Sequence, residues 1–133
     1  MDMSSVDQCL ARGRIAISIN TQYIAEQSDE TEERYVFAYT IKISNQWDQP
    51  AQLLNRHWII TDAGGEVEEV RGAGVVGHQP RLSPGEAFEY TSGAILKTPV
   101  GTMQGSYEFV DDDGNPFVAP IDVFSLSVPN MVH

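Results

Sequence analysis

Large apolar residues occupy every second position of the segment RYVFAYTIKIS. Tyr35, Phe37, Tyr39, Ile41 and Ile43 share one phase, and Arg34, Thr40, Lys42 and Ser44 take the other. A period of two sets these groups on opposite faces of an extended strand, whereas a helix needs apolar positions three and four residues apart. The same signature recurs along the chain. Ile15, Ile17 and Ile19 alternate with Ala16, Ser18 and Asn20 in a strand reaching Tyr23. In residues 52–61 the alternation sets Leu54, Trp58 and Ile60 on one face and Leu53, His57 and Ile59 on the other.

Turn residues separate these segments. Residues 27–33 are acidic and read as a solvated loop, and residues 45–50 turn the chain. Asp62-Ala63-Gly64-Gly65 makes a tight hairpin from which residues 67–71 pair back. Pro80 and Ser83-Pro84-Gly85 interrupt the chain twice before a short strand at 87–91. Residues 101–110 alternate Met103, Gly105, Tyr107 and Phe109, and Asp111-Asp-Asp113-Gly-Asn115 turns the chain into a last strand. There Phe117, Ala119 and Ile121 hold one phase and Phe124, Leu126 and Val128 the other, a switch assigned to a bulge or edge position at Pro120. Seven or eight such strands at regular spacing predict an all-β sandwich of antiparallel sheets rather than βαβ units.

The 133 residues suffice for one domain, placed at 13–133 behind a polar, patternless and flexible N-terminal segment, 1–12. Nineteen acidic against eight basic residues give a net charge of −11, which argues against nucleic acid and anionic membranes as partners. Cys9 is the sole cysteine, so no internal disulfide forms; a reducing compartment, the cytoplasm, is expected. The N-terminus lacks the apolar core of a signal peptide, and no apolar run is long enough to cross a bilayer.

Gly72-Ala-Gly74-Val-Val-Gly77 has the spacing of a dinucleotide-binding fingerprint. That device works only where the last glycine opens a helix whose N-terminus receives the pyrophosphate. Pro80 and Pro84 follow too closely for such a helix, so the Rossmann reading fails. A glycine loop can still cup an anion with successive backbone N–H groups. The candidate residues for anion or phosphate binding are Arg56, Arg71, Gly72, Gly74, Gly77 and His78. His57 and Arg81 add to the local basic excess, while Asp62, Glu66, Glu68 and Glu69 offset it. The simpler alternative makes the glycines strand-end and bulge residues and the arginines paired or solvated.

Asp111-Asp-Asp113-Gly-Asn115 is too short for an EF-hand and reads as a turn. His57, His78 and His133 lack metal-ligand spacing, which leaves metal binding undetermined. There is no G-x-S-x-G elbow, H-E-x-x-H helix or Walker lysine loop, so the chain is expected to be no enzyme and to carry no cofactor.

One ordered series of motifs is more specific. It comprises Arg56-His-Trp-Ile-Ile-Thr-Asp62, Glu69-Val-Arg-Gly-Ala-Gly-Val-Val-Gly77, Gln79-Pro80, Pro84-Gly85, Tyr90-Thr-Ser-Gly93 and Gly101-Thr-Met-Gln-Gly-Ser-Tyr107. Across residues 15–128 this series closely resembles the ApaG family, also called CorD. The resemblance implies an immunoglobulin or fibronectin type III-like sandwich of two antiparallel sheets. It also implies a bacterial link to cobalt and magnesium tolerance, a genomic neighbour that hydrolyses diadenosine tetraphosphate, and use as a recognition domain in eukaryotic F-box and polymerase-delta-interacting proteins. His78 stands where the resemblance leads one to expect an acidic residue. The expected function is a non-enzymatic interaction module in cobalt and magnesium homeostasis, acting through an unknown protein partner. The alternative is a small-ligand sensor that holds pyrophosphate or a dinucleoside polyphosphate at the loop. A homodimer is left open.

Overall fold

The computed structural model describes residues 13–129, so the flexible segment assigned to residues 1–12, with Cys9, lies outside them, as does His133. Among the described residues eight strands run in the order β1 (Ile15–Tyr23), β2 (Tyr35–Asn45), β3 (Ala51–Asp62), β4 (Val67–Ala73), β5 (Arg81–Leu82), β6 (Ala87–Leu96), β7 (Val100–Asp111) and β8 (Pro116–Ser127). They form a three-stranded sheet, β1-β2-β6, and a five-stranded sheet, β4-β3-β7-β8, with β5 pairing the first residues of β3 on the side that β4 takes further along. Every pairing is antiparallel, as the alternating pattern predicts. The acidic stretch after β1 contributes two 3-10 turns, Ala25–Gln27 and Glu30–Glu32.

Inward phases of the strands make the core. Phe37, Tyr39, Ile41 and Ile43 of β2 are buried, and across from them lie Trp58 of β3 and Met103, Tyr107 and Phe109 of β7. Each such side chain contributes about 1.5–3 kcal/mol through the apolar surface it removes from water. Tyr39 meets the Trp58 indole at 5.6 Å, and Trp58 in turn meets the edges of Tyr107 and Phe124. These tilted and edge contacts suit the ring quadrupoles and join the sheets near the middle of the sandwich.

Two bulges correct the register expected from alternation. On β3, Leu53 pairs with Phe109 but Asn55 with Glu108, so Leu54 is the extra residue. The insertion brings Leu53, fully buried, onto the same inward face as Trp58; Leu54 does not share that face throughout the strand as the simple alternation required. On β8, Ile121 pairs with Gly105 and Phe124 with Met103, so the phase switch lies at Asp122 and Val123. Pro120 itself stays in register opposite Ser106. The proline is tolerated because β8 borders its sheet, where a missing N–H breaks no ladder bond.

The one buried polar residue described, Asn45, organises the turn after β2. Its amide donates to the carbonyls of Gln49 (2.8 Å) and Leu82 (2.9 Å), while its Oδ1 accepts from the Trp47 N–H. Gly105 faces Trp58 across the β3/β7 ladder, and a Cβ there would lie 2.0 Å from the carbonyl oxygen of His57. Because that neighbour is backbone, it cannot swing aside. Gly105→Ala is expected to cost at least about 3 kcal/mol, read from the shift in urea midpoint, and to leave little folded protein. An unchanged midpoint would contradict this packing.

Tyr90 and Tyr107 join their hydroxyls inside the core, one from each sheet. Burial pushes the Tyr90 hydroxyl up to about 12 and raises that of Tyr107 as well. A raised folded-state value means that the neutral pair favours the native state fully below the ordinary value of 10.0 and loses that advantage as pH climbs through the folded value. Urea stability should therefore fall between about pH 10 and pH 12. Tyr107→Phe should cost about 1–3 kcal/mol at neutral pH by orphaning the Tyr90 hydroxyl, and the double Tyr90→Phe, Tyr107→Phe variant should recover most of it. Additive losses would show that the two hydroxyls are not coupled.

Candidate functional site

The three glycines of the fingerprint each answer a different steric demand. Gly72 sits opposite Arg56 in the β3/β4 ladder, and a Cβ at position 72 would lie 2.7 Å from the Arg56 guanidinium. Gly74 has φ +64°, and a Cβ there would lie 2.3 Å from the His78 carbonyl oxygen. Gly77 (φ +82°) follows Val76 (φ +42°) at the tip of a two-residue hairpin turn closed by Val75 N–H to His78 O (2.8 Å) and His78 N–H to Val75 O (2.9 Å). Left-handed backbone at both central positions is the signature of a type I′ turn, whose second position favours glycine. A tight hairpin thus stands where a Rossmann fold would begin a helix.

Two of the loop's amides are taken by protein carbonyls. Gly74 N–H donates to Leu54 O at 2.8 Å, and Val75 N–H is taken by His78 O. The bulge at Leu54 and the glycine loop are therefore one structural unit, with the displaced strand residue receiving the loop's bond. Arg56 adds to it by donating from Nη1 to the carbonyls of Ala73 and Gly74, both at 3.0 Å.

Strand alternation also divides the candidate anion site. Arg56 shares the face of its ladder partners Tyr107 and Gly72, whereas Arg71 pairs with His57 on the opposite face. Gly77 and His78 lie at the loop tip, where the His78 ring packs 5.6 Å from Phe88 of the other sheet. Of the six residues, Arg71 stands in a groove on the outer face that Gly72 and Arg56 only border, since the Arg56 side chain is turned to the inner face, and the loop carries Gly74, Gly77 and His78 away from it. Arg81 is held elsewhere, donating from both Nε and Nη2 to the Asp112 carboxylate. Asp111 braces the same turn by accepting from the backbone N–H groups of Asp113 and Asn115, and the Asn115 N–H leads in holding its carboxyl below the usual range.

The groove is an open concavity of about 530 Å³ on the outer face of the five-stranded sheet. Asn55, His57, Ser106, Glu108 and Val118 line it with Arg71. Neighbouring strands hold these side chains in fixed rows. His57 lies between Arg71 and Ser106, and Asn55 lies opposite Glu108. Asn55 Nδ2 donates to Glu108 at 2.7 Å. One oxygen of Glu69 receives both His57 Nε2 (2.6 Å) and Arg71 Nη2 (2.9 Å). His57 and then Arg71 hold the Glu69 carboxyl below its ordinary value. Sequence reading found His57 and Arg71 but missed Asn55, Ser106, Glu108 and Val118. They share the outward phase of their strands, a signal that becomes a site only once the register aligns β3, β7 and β8. Among the described residues, no group of three or more His, Cys, Asp and Glu side chains is placed to hold a metal ion, and no helix is long and apolar enough to cross a membrane.

A sandwich of two antiparallel sheets with this strand order defines a fibronectin type III-like domain. The ApaG domain family model matches residues 25–111, and the chain belongs to that family. It is 61% identical over 120 residues to Protein ApaG of Thiobacillus denitrificans, covering 90% of this chain and 94% of the relative. It is 53% identical over 124 residues to Protein ApaG of Ralstonia nicotianae, covering 93% of this chain and all of the relative. A crystal structure of a Bordetella pertussis protein, 53% identical, superposes with a TM-score of 0.86 over 88% of this chain and 95% of that one.

If Gly72 exists to admit the Arg56 guanidinium, Gly72→Ala and Arg56→Ala should each destabilise by about 1–3 kcal/mol, and the double variant should lose little more than either alone. Thermal or urea unfolding of the three variants measures this. Full additivity would show that Gly72 answers some other demand.

Proposed function

We propose that this chain is a non-enzymatic binding module of cobalt and magnesium homeostasis, acting in the cytoplasm by contacting another protein across the outer face of its five-stranded sheet. The observation that carries this reading is the preset row on that face, in which Glu69 fixes the His57 ring and the Arg71 guanidinium while Arg71 keeps 71% of its side chain exposed. Side chains already oriented lose less freedom on binding, which favours recognition by a surface of this kind. Neighbouring Asn55, Ser106 and Glu108 supply both donors and acceptors, suited to the polar rim of a protein interface. The groove is open to water along its length, a setting better matched to a broad partner than to a reaction that needs water excluded. The link to divalent cations comes from the family resemblance.

A second reading keeps the loop as a sensor for pyrophosphate or a dinucleoside polyphosphate, and exposed Arg71 beside Gly72 favours it. The commitments of Arg56 and of the Gly74 and Val75 amides to protein carbonyls favour the first.

In a strain lacking the gene, wild-type protein is expected to restore growth in cobalt, and a folded His57→Ala, Arg71→Glu variant is expected to fail and to lose the partner recovered by wild-type bait. Full complementation by that variant, or no partner with wild type, would overturn the outer-face reading. Calorimetric titration with pyrophosphate should give no saturable heat. Saturable binding that Arg71→Ala abolishes would reverse the order of the two readings.

A further inference from the structure

The two sheets differ in width, and the narrower one leaves the inner face of β4 thinly covered. Inward side chains of its border strand β6 reach β7: the Tyr90 hydroxyl meets that of Tyr107, and Leu96 lies where a Cβ at Gly101 would strike it at 2.7 Å. Strand β4 lies beyond β3 in the wider sheet. Its inner phase is set by the ladder pairs Trp58↔Val70 and Ile60↔Glu68, and while Trp58 is buried, Val70 is only half-buried and Glu68 is exposed. At one end the glycine loop fills this trough, with His78 against Phe88. At the other it stays open as a notch of about 180 Å³ between β4 and β6, where Ile60 and Leu96 lie beneath exposed Val67 and Ile95. Ala63 N–H donates to Thr98 Oγ1 (3.0 Å), which ties the hairpin after β3 to the turn after β6 and fixes the walls. Gly13 and Pro129, where the described chain ends, adjoin β1 and β8, the opposite borders of the two sheets.

Two features of this open end point outward. Gly93 stands inside β6 with no bulge, since the register with β2 runs unbroken from Tyr35↔Leu96 to Ser44↔Ala87, and with no positive φ. A Cβ there would come no nearer than 3.5 Å to the atoms around it, so the chain's own packing does not require glycine. A strand glycine that serves neither a bend nor internal crowding marks a place where another chain comes close. The second feature is Glu68, whose carboxylate has no hydrogen bond or ion pair among the described residues. Asp62 and Glu66 bring two more carboxylates to the notch, against Lys97 alone, which sits 3.8 Å from Glu66.

We infer that residues 91–96 of β6 form a docking edge for an extended segment of a partner protein, which adds antiparallel as a fourth strand, lays an aromatic residue over Gly93 and directs a basic one to Glu68. This half of β6 has no charge and no proline to turn a strand away. An added strand extends the narrower sheet toward β4 and closes the trough. The residue opposite Gly93 stands on the outer face, where an aromatic ring covers the missing side chain. Its neighbours point inward: the one opposite Ser92 is aliphatic, to meet Val70, and those on the Leu96 side are Lys or Arg, to meet the carboxylates. Charge excludes a second copy of this chain, which at −11 would bring like charge to an acidic notch. The site uses the inner phase of β4 and does not depend on the outer-face groove.

The probe is the capped peptide Lys-Thr-Lys-Tyr-Val-Thr, titrated against the full chain by fluorescence anisotropy. Saturable binding with a Kd below about 1 mM is expected. Glu68→Lys, checked for folding by circular dichroism, should weaken it about tenfold, and the peptide with glutamate in place of both lysines should bind that variant better than wild type. N-methylation of every second peptide amide should abolish binding in the phase that faces β6 and spare it in the other. Amide exchange should slow at residues 91–96 when the peptide is bound. Gly93→Ala should leave the urea midpoint unchanged or raised. A lowered midpoint would assign the glycine to the fold and overturn the proposal. Absence of saturable binding, binding that survives methylation in both phases and so rests on charge alone, or protection confined to another strand overturns it as well.

Discussion

The contact between Trp58 and Tyr39 sets the spacing on which the remainder of the sandwich depends. One ring comes from each sheet, and the indole is nearly enclosed, with Phe124 and Tyr107 against its other edges. The ladder partner of Trp58 on β7 is Gly105, where a Cβ would run into the His57 carbonyl, so the two strands approach closely beside it. The Tyr90 and Tyr107 hydroxyls then meet across the same gap, an arrangement that only a fixed intersheet distance permits. Packing on the inner face thereby decides how the outer rows of β3 and β7 align, and the groove inherits its geometry from the core.

A glycine pattern can match a nucleotide fingerprint and have unrelated causes. Here Gly72 yields space to a guanidinium, Gly74 to a carbonyl oxygen, and Gly77 supplies a left-handed turn position. The arginine admitted by the first glycine binds the carbonyls of the loop containing the second, and the loop's next amide bonds to the bulged residue of β3. Each glycine answers a different demand of the protein's own chain, a guanidinium, a carbonyl oxygen and a left-handed turn, without any phosphate in the account. Exposed Val76 at φ +42° is costly for a β-branched residue, and nothing in the structure explains why valine stands there.

Much of the fold was legible in particular residues. The alternation from Tyr35 to Ile43 foretold a strand that buries Phe37, Tyr39, Ile41 and Ile43, and the prolines at 80 and 84 correctly excluded a helix after Gly77. The bulges escaped exact placement because an inserted residue leaves apolar side chains on both phases, and Leu53 and Leu54 are chemically alike. Arg56 and Arg71 looked like neighbours of one loop, yet their ladder partners, Tyr107 and His57, lie on opposite faces of the sheet.

By itself the sequence determined the class of architecture and the family, because a period of two, regular turn residues and an ordered series of motifs are local properties that survive without coordinates. Only the tertiary structure decided which side chains share a surface. That depends on register between strands distant in sequence, where one inserted residue at Leu54 or at Asp122 and Val123 turns every later side chain to the other face.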